Sequence, residues 1–169
     1  MSWTPTITVR FSEPVTGVST LDTYLRDATT KVSIPGTVTY DPATLTATLR
    51  PLARLQPNWA YQVVVSGPIR DLTGNPLPYQ FWSVRTPAAE TFNPARTLIL
   101  QTGIRVGYRF SSTGAVLTTK TITLVSGSAT LTTQRAIISN QSGIWYYASS
   151  GVWAGYWLHE EPGVYLKQP

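Results

Sequence analysis

Proline and glycine are spread along the whole chain, and their distribution limits what the chain can fold into. The 169 residues include 13 Pro and 12 Gly. Proline lacks the backbone N–H that regular structure needs, and glycine loses conformational entropy when it is fixed, so both residues interrupt regular elements. The distribution therefore excludes long helices and predicts many short elements joined by turns.

The segments between these turns have the alternation that is typical of β-strands. Ile7, Val9 and Phe11 fall on one face of a predicted strand, with polar residues between them. Successive side chains of a strand point to opposite faces, so this period of two indicates a half-buried sheet. The first half of the chain is thus predicted to be an antiparallel β-sandwich of about seven short strands. Other segments with the same inward-facing period are Val38 with Tyr40, Leu45 with Ala47 and Leu49, Tyr61 with Val63 and Val65, and Trp82 with Val84.

Composition agrees with an all-β fold and excludes several kinds of chemistry. The chain is 42% hydrophobic and only 12% charged, and it is rich in the β-branched and aromatic residues that suit a pleated surface. It contains no Cys, which excludes disulfides, cysteine-ligated zinc and thiol catalysis. No apolar run of about 18 residues is present, so no transmembrane helix is predicted. The start also lacks a signal-peptide pattern, and we expect either a module of a longer protein or a mature form with a new start.

The second half of the chain is predicted to be a separate module. Residues 88–95 have no hydrophobic period and include Pro94, so we interpret them as a linker. This linker separates a domain of residues 1–87 from an aromatic-rich module of residues 96–169. About six or seven strand-like segments in that module predict a small β-barrel or a compact β-sandwich.

Several pieces of the first domain occur in the order and spacing of a known family. They are VRFSEPV at residues 9–15, IRDLTGNPL at residues 69–77 and WSVRT at residues 82–86. Residues 4–87 resemble the bacterial Ig-like domain of the S-layer-protein class. This resemblance implies an Ig-like sandwich that serves as a spacer or binding module in secreted and cell-surface proteins, and it does not imply catalysis.

Asp71 and Asn75 form the one pair in the first domain that suggests a metal. Their side-chain oxygens flank Gly74 and are of the type that calcium prefers. Calcium needs six to eight oxygen ligands, however, and no second acid lies nearby in the sequence. An Asp at the start of a turn also accepts hydrogen bonds from the turn's own backbone. We therefore favour a structural role for this pair and predict no metal site.

The strongest candidate for a ligand site is the segment of residues 142–157, SGIWYYASSGVWAGYW. It holds three of the six Trp and three of the nine Tyr. Alternation places Trp145 and Tyr147 on one face and Tyr146 on the other, and it places Trp153 and Trp157 on a shared face. We interpret the tryptophans as core residues and the tyrosines as available for an exposed platform that stacks on sugar rings or bases. The candidate ligand-binding residues are Trp145, Tyr146, Tyr147, Trp153, Tyr156 and Trp157.

The glycine and tryptophan pattern of this segment also resembles a known module. Gly143-x-Trp145, followed by Gly151-x-Trp153 and by AGYW at residues 154–157, is similar to the short C-terminal module of secreted Gram-positive bacterial proteins. Such modules are often found beside hydrolases or Ig-like domains. The resemblance implies an extracellular location more than it implies an activity.

No catalytic constellation is recognisable, so we predict that the chain is not an enzyme and needs no cofactor. His159 is the only histidine, and Glu160 follows it. Neighbouring residues on a strand point to opposite faces, so these two would not share a site. We interpret them as part of a solvated turn near Pro162. No nucleophile elbow, phosphate loop or dinucleotide fingerprint accompanies them.

Charge is uneven along the chain but supports no strong partner prediction. Residues 1–90 carry seven Lys and Arg against six acids, and residues 91–169 carry six against two. A basic half with many aromatic residues could bind single-stranded nucleic acid through Arg105 and Arg109. There is no dense Lys and Arg run, and a secreted context argues against nucleic acid, so none is expected.

Two functions remain. The first is a non-catalytic accessory region of an extracellular or cell-surface bacterial protein that binds cell-wall or other glycan through the aromatic module. The second is a passive spacer or a protein-adhesion module with no small ligand. A contiguous exposed aromatic patch would favour the first, because monomers rarely expose large apolar patches without a use.

Overall fold

A computed structural model describes residues 2–167 and has an all-β fold, as the sequence predicts. The chain divides into two compact units after Pro87. We call residues 1–87 unit 1 and residues 88–169 unit 2, and we describe each by itself. Within residues 2–167, no helix is both long enough and apolar enough to cross a membrane.

The strands of unit 1 are short, each between two and six residues long. They are β1 (Ile7–Arg10), β2 (Val15–Thr16), β3 (Thr23–Asp27), β4 (Ser33–Ile34), β5 (Gly36–Asp41), β6 (Thr46–Pro51), β7 (Ala60–Val65), β8 (Arg70–Asp71) and β9 (Gln80–Arg85). All of their pairings are antiparallel.

Two sheets of unit 1 face each other across a hydrophobic core. One sheet has the order β1-β6-β5, the other has the order β4-β3-β7-β9, and β2 pairs with β8. The core joins Leu49 of the first sheet to Leu25 and Val63 of the second, and all three side chains are at most 2% exposed. Two antiparallel sheets that share one core form a β-sandwich, so the predicted fold class is confirmed.

The inward faces of unit 1 follow the predicted alternation, with one exception at an edge. The predicted hairpin exists, because β5 and β6 pair with Val38 opposite Leu49 and Tyr40 opposite Ala47. Trp82, which was predicted to face inward, is 38% exposed. Its strand β9 is the edge of its sheet and has a neighbour on one side only, so a side chain there stays partly uncovered even on the core-facing side.

Unit 2 is built on a single antiparallel sheet with the order β12-β11-β15-β14-β13-β10-β16. A short 3-10 helix (Gly151–Trp153) interrupts the chain between β14 and β15. The strands are β10 (Ala89–Leu100), β11 (Gly103–Phe110), β12 (Val116–Leu124), β13 (Ser128–Ala136), β14 (Trp145–Ala148), β15 (Trp157–His159) and β16 (Val164–Leu166).

The predicted linker is wrong, because most of residues 88–95 belong to strand β10. The start of this strand pairs with β13 as far as Thr91, and the pairing resumes at Arg96 after a shift of register. Pro94 lies in this gap. A proline has no N–H to donate to a ladder, so it is tolerated where the ladder is broken. Most of the segment of residues 88–95, which lacks a hydrophobic period, therefore belongs to a bulged strand rather than to a linker.

The sheet of unit 2 curves around one hydrophobic cluster. Strands β12 and β16 stand at opposite ends of the sheet order, yet Ile122 of the first packs against the same cluster that contains Leu166 of the second. The sheet must curve to bring both ends to one core. Trp153 of the 3-10 helix lies in this cluster and is 1% exposed. The buried members of the cluster are Leu98, Leu100, Tyr146, Ala148, Trp153, Leu158, Val164 and Leu166.

Candidate functional site: an aromatic face and its groove

Pairing between the strands brings five aromatic rings and one imidazole together on the face of the unit 2 sheet that points away from the cluster. Residues that are directly opposite each other on neighbouring antiparallel strands share a face. Tyr147 pairs with Trp157, which pairs on its other side with Tyr108, and Trp145 pairs with His159. We call this surface the aromatic face. Its six members are Tyr108, Phe110, Trp145, Tyr147, Trp157 and His159.

The rings of the aromatic face form two neighbouring groups, one around Trp145 and one of Tyr147 with Trp157. The Trp145 ring is the centre, with centroid distances of 5.2 Å to Tyr108, 5.0 Å to Phe110 and 4.7 Å to His159. Tyr147 and Trp157 form a neighbouring pair at 5.2 Å. The Trp145 contacts to Tyr108 and Phe110 are edge-to-face, a geometry that aromatic quadrupoles favour. Trp145 is only 6% exposed, whereas the other five side chains are half-buried.

A groove of about 310 Å³ opens at one end of the aromatic face. Its lining is apolar on Ile104, on Val106 and on the rings of Tyr108 and Trp145, and its other residues are polar. Trp145 is anchored by its indole Nε1, which donates to the Ser142 carbonyl oxygen at 3.1 Å. Glu161 is held by Arg105, whose Nη1 lies 3.3 Å from its Oε1. The complete lining is Ile104, Val106, Tyr108, Ser142, Trp145, His159 and Glu161.

The turn before β14 packs closely against His159, which lines the groove. Gly143 has φ of +76°, and a Cβ at this position would collide with Nε2 of His159. Only glycine combines this backbone angle with the close approach of the imidazole. The Gly-x-Trp pattern that is visible in the sequence therefore positions the Trp145 and His159 rings at the groove.

The six candidate residues of the sequence divide between the two sides of the sheet. Trp145, Tyr147 and Trp157 lie on the aromatic face. Tyr146 and Trp153 lie in the hydrophobic cluster on the opposite side. The expectation of alternation along β14 is met, since Tyr146 points away from its two neighbours.

Two details of those expectations are wrong. Tyr146 is not part of an exposed platform, because it is 2% exposed and its hydroxyl donates to Oε2 of Glu160 at 2.9 Å. Trp153 and Trp157 do not share a face. The 3-10 helix and a turn at Gly155, which has φ of +82°, separate them, and a period of two holds only within a continuous strand.

The sequence reasoning missed Tyr108, Phe110 and His159 as members of the site. The prediction that His159 lies in a solvated turn is wrong, because His159 is the last residue of β15 and contacts Trp145. The alternation of Tyr108 and Phe110 was visible in the sequence. Their juxtaposition with Trp145 depends on β15 lying between β11 and β14, and no local pattern reveals that order.

Tyr156, the sixth candidate, lies on the side opposite the aromatic face. A Cβ added to Gly107 would lie 3.0 Å from the Tyr156 Cβ and 3.0 Å from the Trp153 ring. The guanidinium of Arg109 stacks over the Tyr156 ring at 4.5 Å from its centroid. Arg105, which the nucleic-acid hypothesis used together with Arg109, is paired with Glu161 and its side chain is 11% exposed.

The Asp71 turn has the geometry of a structural cap. Oδ1 of Asp71 accepts hydrogen bonds from the backbone N–H and the hydroxyl of Thr73 and from the backbone N–H of Asn75. Its Oδ2 accepts from Nδ2 of Asn75 at 2.7 Å. The side-chain bonds from Asn75 and Thr73 lower the pKa of Asp71 to about 2, since donors stabilise the charged form. Within residues 2–167, no group of three or more acids and histidines is arranged to hold a metal.

The architecture of unit 1, two antiparallel sheets over one core, is that of an immunoglobulin-like domain. A family model described as "Bacterial Ig-like domain" matches residues 1–86, which is just over half of the chain, and the chain belongs to this family. Such domains are a non-catalytic kind of domain. The family assignment covers unit 1 and does not extend over the aromatic face.

Comparison with other proteins adds one structural similarity. The crystal structure of the N-terminal part of the bacterial S-layer protein SbsC aligns with a TM-score of 0.44 at 17% sequence identity. The alignment covers 86% of this chain and 41% of that one, so the chain spans less than half of that structure's length. No curated protein sequence matches the chain.

Proposed function

We propose that this chain is a non-catalytic accessory region of an extracellular or cell-surface bacterial protein, and that unit 2 binds cell-wall or other glycan through its aromatic face. The observation that carries the proposal is the set of aromatic rings on one face of the unit 2 sheet, beside a groove of about 310 Å³. Membership of unit 1 in the bacterial Ig-like family supports the proposed location.

The chemistry of the groove suits a sugar. The apolar faces of pyranose rings stack on flat aromatic rings, which shed their hydration at low cost. The polar rim of Ser142, His159 and Glu161 offers hydroxyl, imidazole and carboxylate groups to the hydroxyls of a sugar. The groove combines ring faces with polar groups, and its volume of about 310 Å³ lies at the lower end of the range common for small-molecule sites.

Of the six candidate residues, Trp145, Tyr147 and Trp157 remain the proposed ligand contacts. Tyr108 and His159 join them. Tyr146 and Trp153 are not proposed as contacts, because they lie in the hydrophobic cluster on the other side of the sheet.

The test is retention of the full chain on insoluble Gram-positive peptidoglycan. We expect retention of the wild type and a loss of affinity of about tenfold for Trp157→Ala, since one stacked ring contributes roughly 1–3 kcal/mol. Tyr147→Ala should have a similar effect. The melting temperature of each variant is measured in parallel, so that loss of fold is distinguished from loss of contact.

Tyr165→Ala is the matched control for these variants. Tyr165 lies in β16 of the same unit and is 43% exposed, but it does not belong to the aromatic face. Its substitution should leave retention unchanged. If Tyr165→Ala and Trp157→Ala reduce retention equally, binding is not specific to the aromatic face. If the wild type is not retained at any salt concentration, glycan binding is refuted.

A second candidate function, protein adhesion, is favoured by the edge strand β9 of unit 1. Phe81 and Trp82 of β9 are 51% and 38% exposed, and Tyr79, which immediately precedes the strand, is 52% exposed. An edge strand with exposed apolar side chains is prone to pair with another chain. Under this alternative, sedimentation equilibrium should reveal self-association of the wild type that Phe81→Lys abolishes, and a strictly monomeric wild type would argue against it.

A further inference from the structure

Two cations flank one aromatic ring on the side of the unit 2 sheet opposite the aromatic face. The Arg109 guanidinium carbon lies 4.5 Å from the centre of the Tyr156 ring, and the Lys120 Nζ lies 5.6 Å from it. Lys120 is directly opposite Gly107 on the neighbouring strand, and a Cβ added to Gly107 would lie 3.0 Å from the Cβ of Tyr156. We call Arg109 and Lys120 the basic pair.

The basic pair has no carboxylate partner within residues 2–167. The described part of unit 2 has three acids, and each is engaged elsewhere. Glu90 pairs with Arg135, Glu161 pairs with Arg105, and Glu160 accepts a hydrogen bond from the Tyr146 hydroxyl. The positive charges of Arg109 and Lys120 are therefore not neutralised by a side chain.

Backbone carbonyls position the basic pair but leave most of its donors free. Nε of Arg109 donates to the Gly155 carbonyl at 3.3 Å, and Nζ of Lys120 donates to the Val152 carbonyl at 2.5 Å. Arginine has five N–H donors and lysine has three. The two Nη groups of Arg109 make no hydrogen bond to the described chain, and its side chain is exposed. Stacking on Tyr156 and the bond to Gly155 fix the orientation of the guanidinium.

A fixed guanidinium with a free Nη edge and an ammonium beside it matches a phosphate group. Arginine binds phosphate oxygens through two parallel N–H donors, and lysine adds a point charge. We propose that the basic pair binds the phosphate groups of an anionic glycan. The glycan part of this inference rests on the proposed function, whereas the phosphate part rests on the basic pair alone.

The surroundings favour an anionic glycan over the other phosphate polymers. Nucleic-acid grooves line up several cations with free rings for base stacking, but here the one ring is already covered by the cations. Binding to an anionic membrane takes clusters of about four to eight Lys and Arg or a large apolar anchor. The exposed apolar side chain in the 3-10 helix beside the pair is Val152 alone. A few spaced phosphates on a sugar polymer suit two cations.

The experiment measures binding of the full chain to immobilised poly(glycerol phosphate) by biolayer interferometry at low and at high salt. The double variant R109Q/K120Q should bind about thirtyfold more weakly, or about fivefold for each cation, which is roughly the contribution of one Lys or Arg at an anionic surface. Binding should weaken as the salt concentration rises. Arg109→Lys keeps the charge but lacks the two-pronged donor, so it should lose part of the affinity.

Arg96→Gln is the matched control, because Arg96 also lies in unit 2, stacks over a ring and lacks an ion pair among the described residues. Its effect should be less than about twofold. An equal effect of R96Q and R109Q, or the absence of binding to poly(glycerol phosphate), would overturn the proposal. So would tighter binding to phosphatidylglycerol vesicles or to single-stranded DNA.

Trp157→Ala separates this inference from the proposed function. It should weaken retention on peptidoglycan while leaving poly(glycerol phosphate) binding intact, because Trp157 lies on the aromatic face and the basic pair lies on the other side of the sheet.

Discussion

At Asp71 one carboxylate accepts four hydrogen bonds from two residues of its own turn. The pKa falls from 3.8 to about 2 in the folded chain, so the stabilising effect is complete above the unfolded pKa of 3.8. It is lost as the pH falls through the folded pKa. We predict that the melting temperature of the wild type shifts downward as the pH is lowered from 5 to 2. This downward shift should be smaller in Asp71→Asn.

Glu13→Gln provides the control for this pH dependence. Glu13 carries the same charge on an exposed side chain, and it has no hydrogen bond to its carboxylate within residues 2–167. Its substitution should leave the downward shift as large as in the wild type. If both variants reduce the shift equally, the effect reflects net charge rather than the Asp71 turn.

The 3-10 helix places a single large side chain into the concave side of the unit 2 sheet. Trp153 is 1% exposed, and its Nε1 has no hydrogen-bond partner among the described residues. Trp153→Ala leaves a large cavity and should lower the free energy of unfolding by about 3–5 kcal/mol. Trp153→Phe keeps most of the packing and forfeits no hydrogen bond, so it should cost about 1–2 kcal/mol. Urea denaturation measures both values, and equal costs would contradict this account.

The sequence predicted individual strands better than it predicted which strands lie next to each other in a sheet. Alternation gave β1, the β5–β6 hairpin and the opposite orientations of Tyr146 and Tyr147, because a period of two is local and follows from backbone geometry. It failed for residues 88–95, where a bulged strand has no period. It also failed across the 3-10 helix, because the period of two does not continue from Trp153 to Trp157. The aromatic face depends on strand order, so only three of its members were predicted.

At the scale of the whole molecule, each unit has its own hydrophobic core. The clusters of unit 1 are made of residues before Pro87, and the cluster of unit 2 is made of residues after it. Each core also supports a different surface. The unit 1 core lies behind the exposed edge strand β9, and the unit 2 core lies behind the aromatic face.

Matched substitutions in the two cores should therefore act on different parts of the chain. Leu25 and Leu98 are both 0% exposed, and Leu→Ala at such sites costs about 2–5 kcal/mol. We predict that Leu98→Ala lowers amide hydrogen-exchange protection in β10–β16 and spares β7, whereas Leu25→Ala does the reverse. Glycan retention should fall in Leu98→Ala and persist in Leu25→Ala, because the aromatic face is built on the sheet that Leu98 supports. Loss of protection throughout the chain in either variant would mean that the two cores unfold as one cooperative unit.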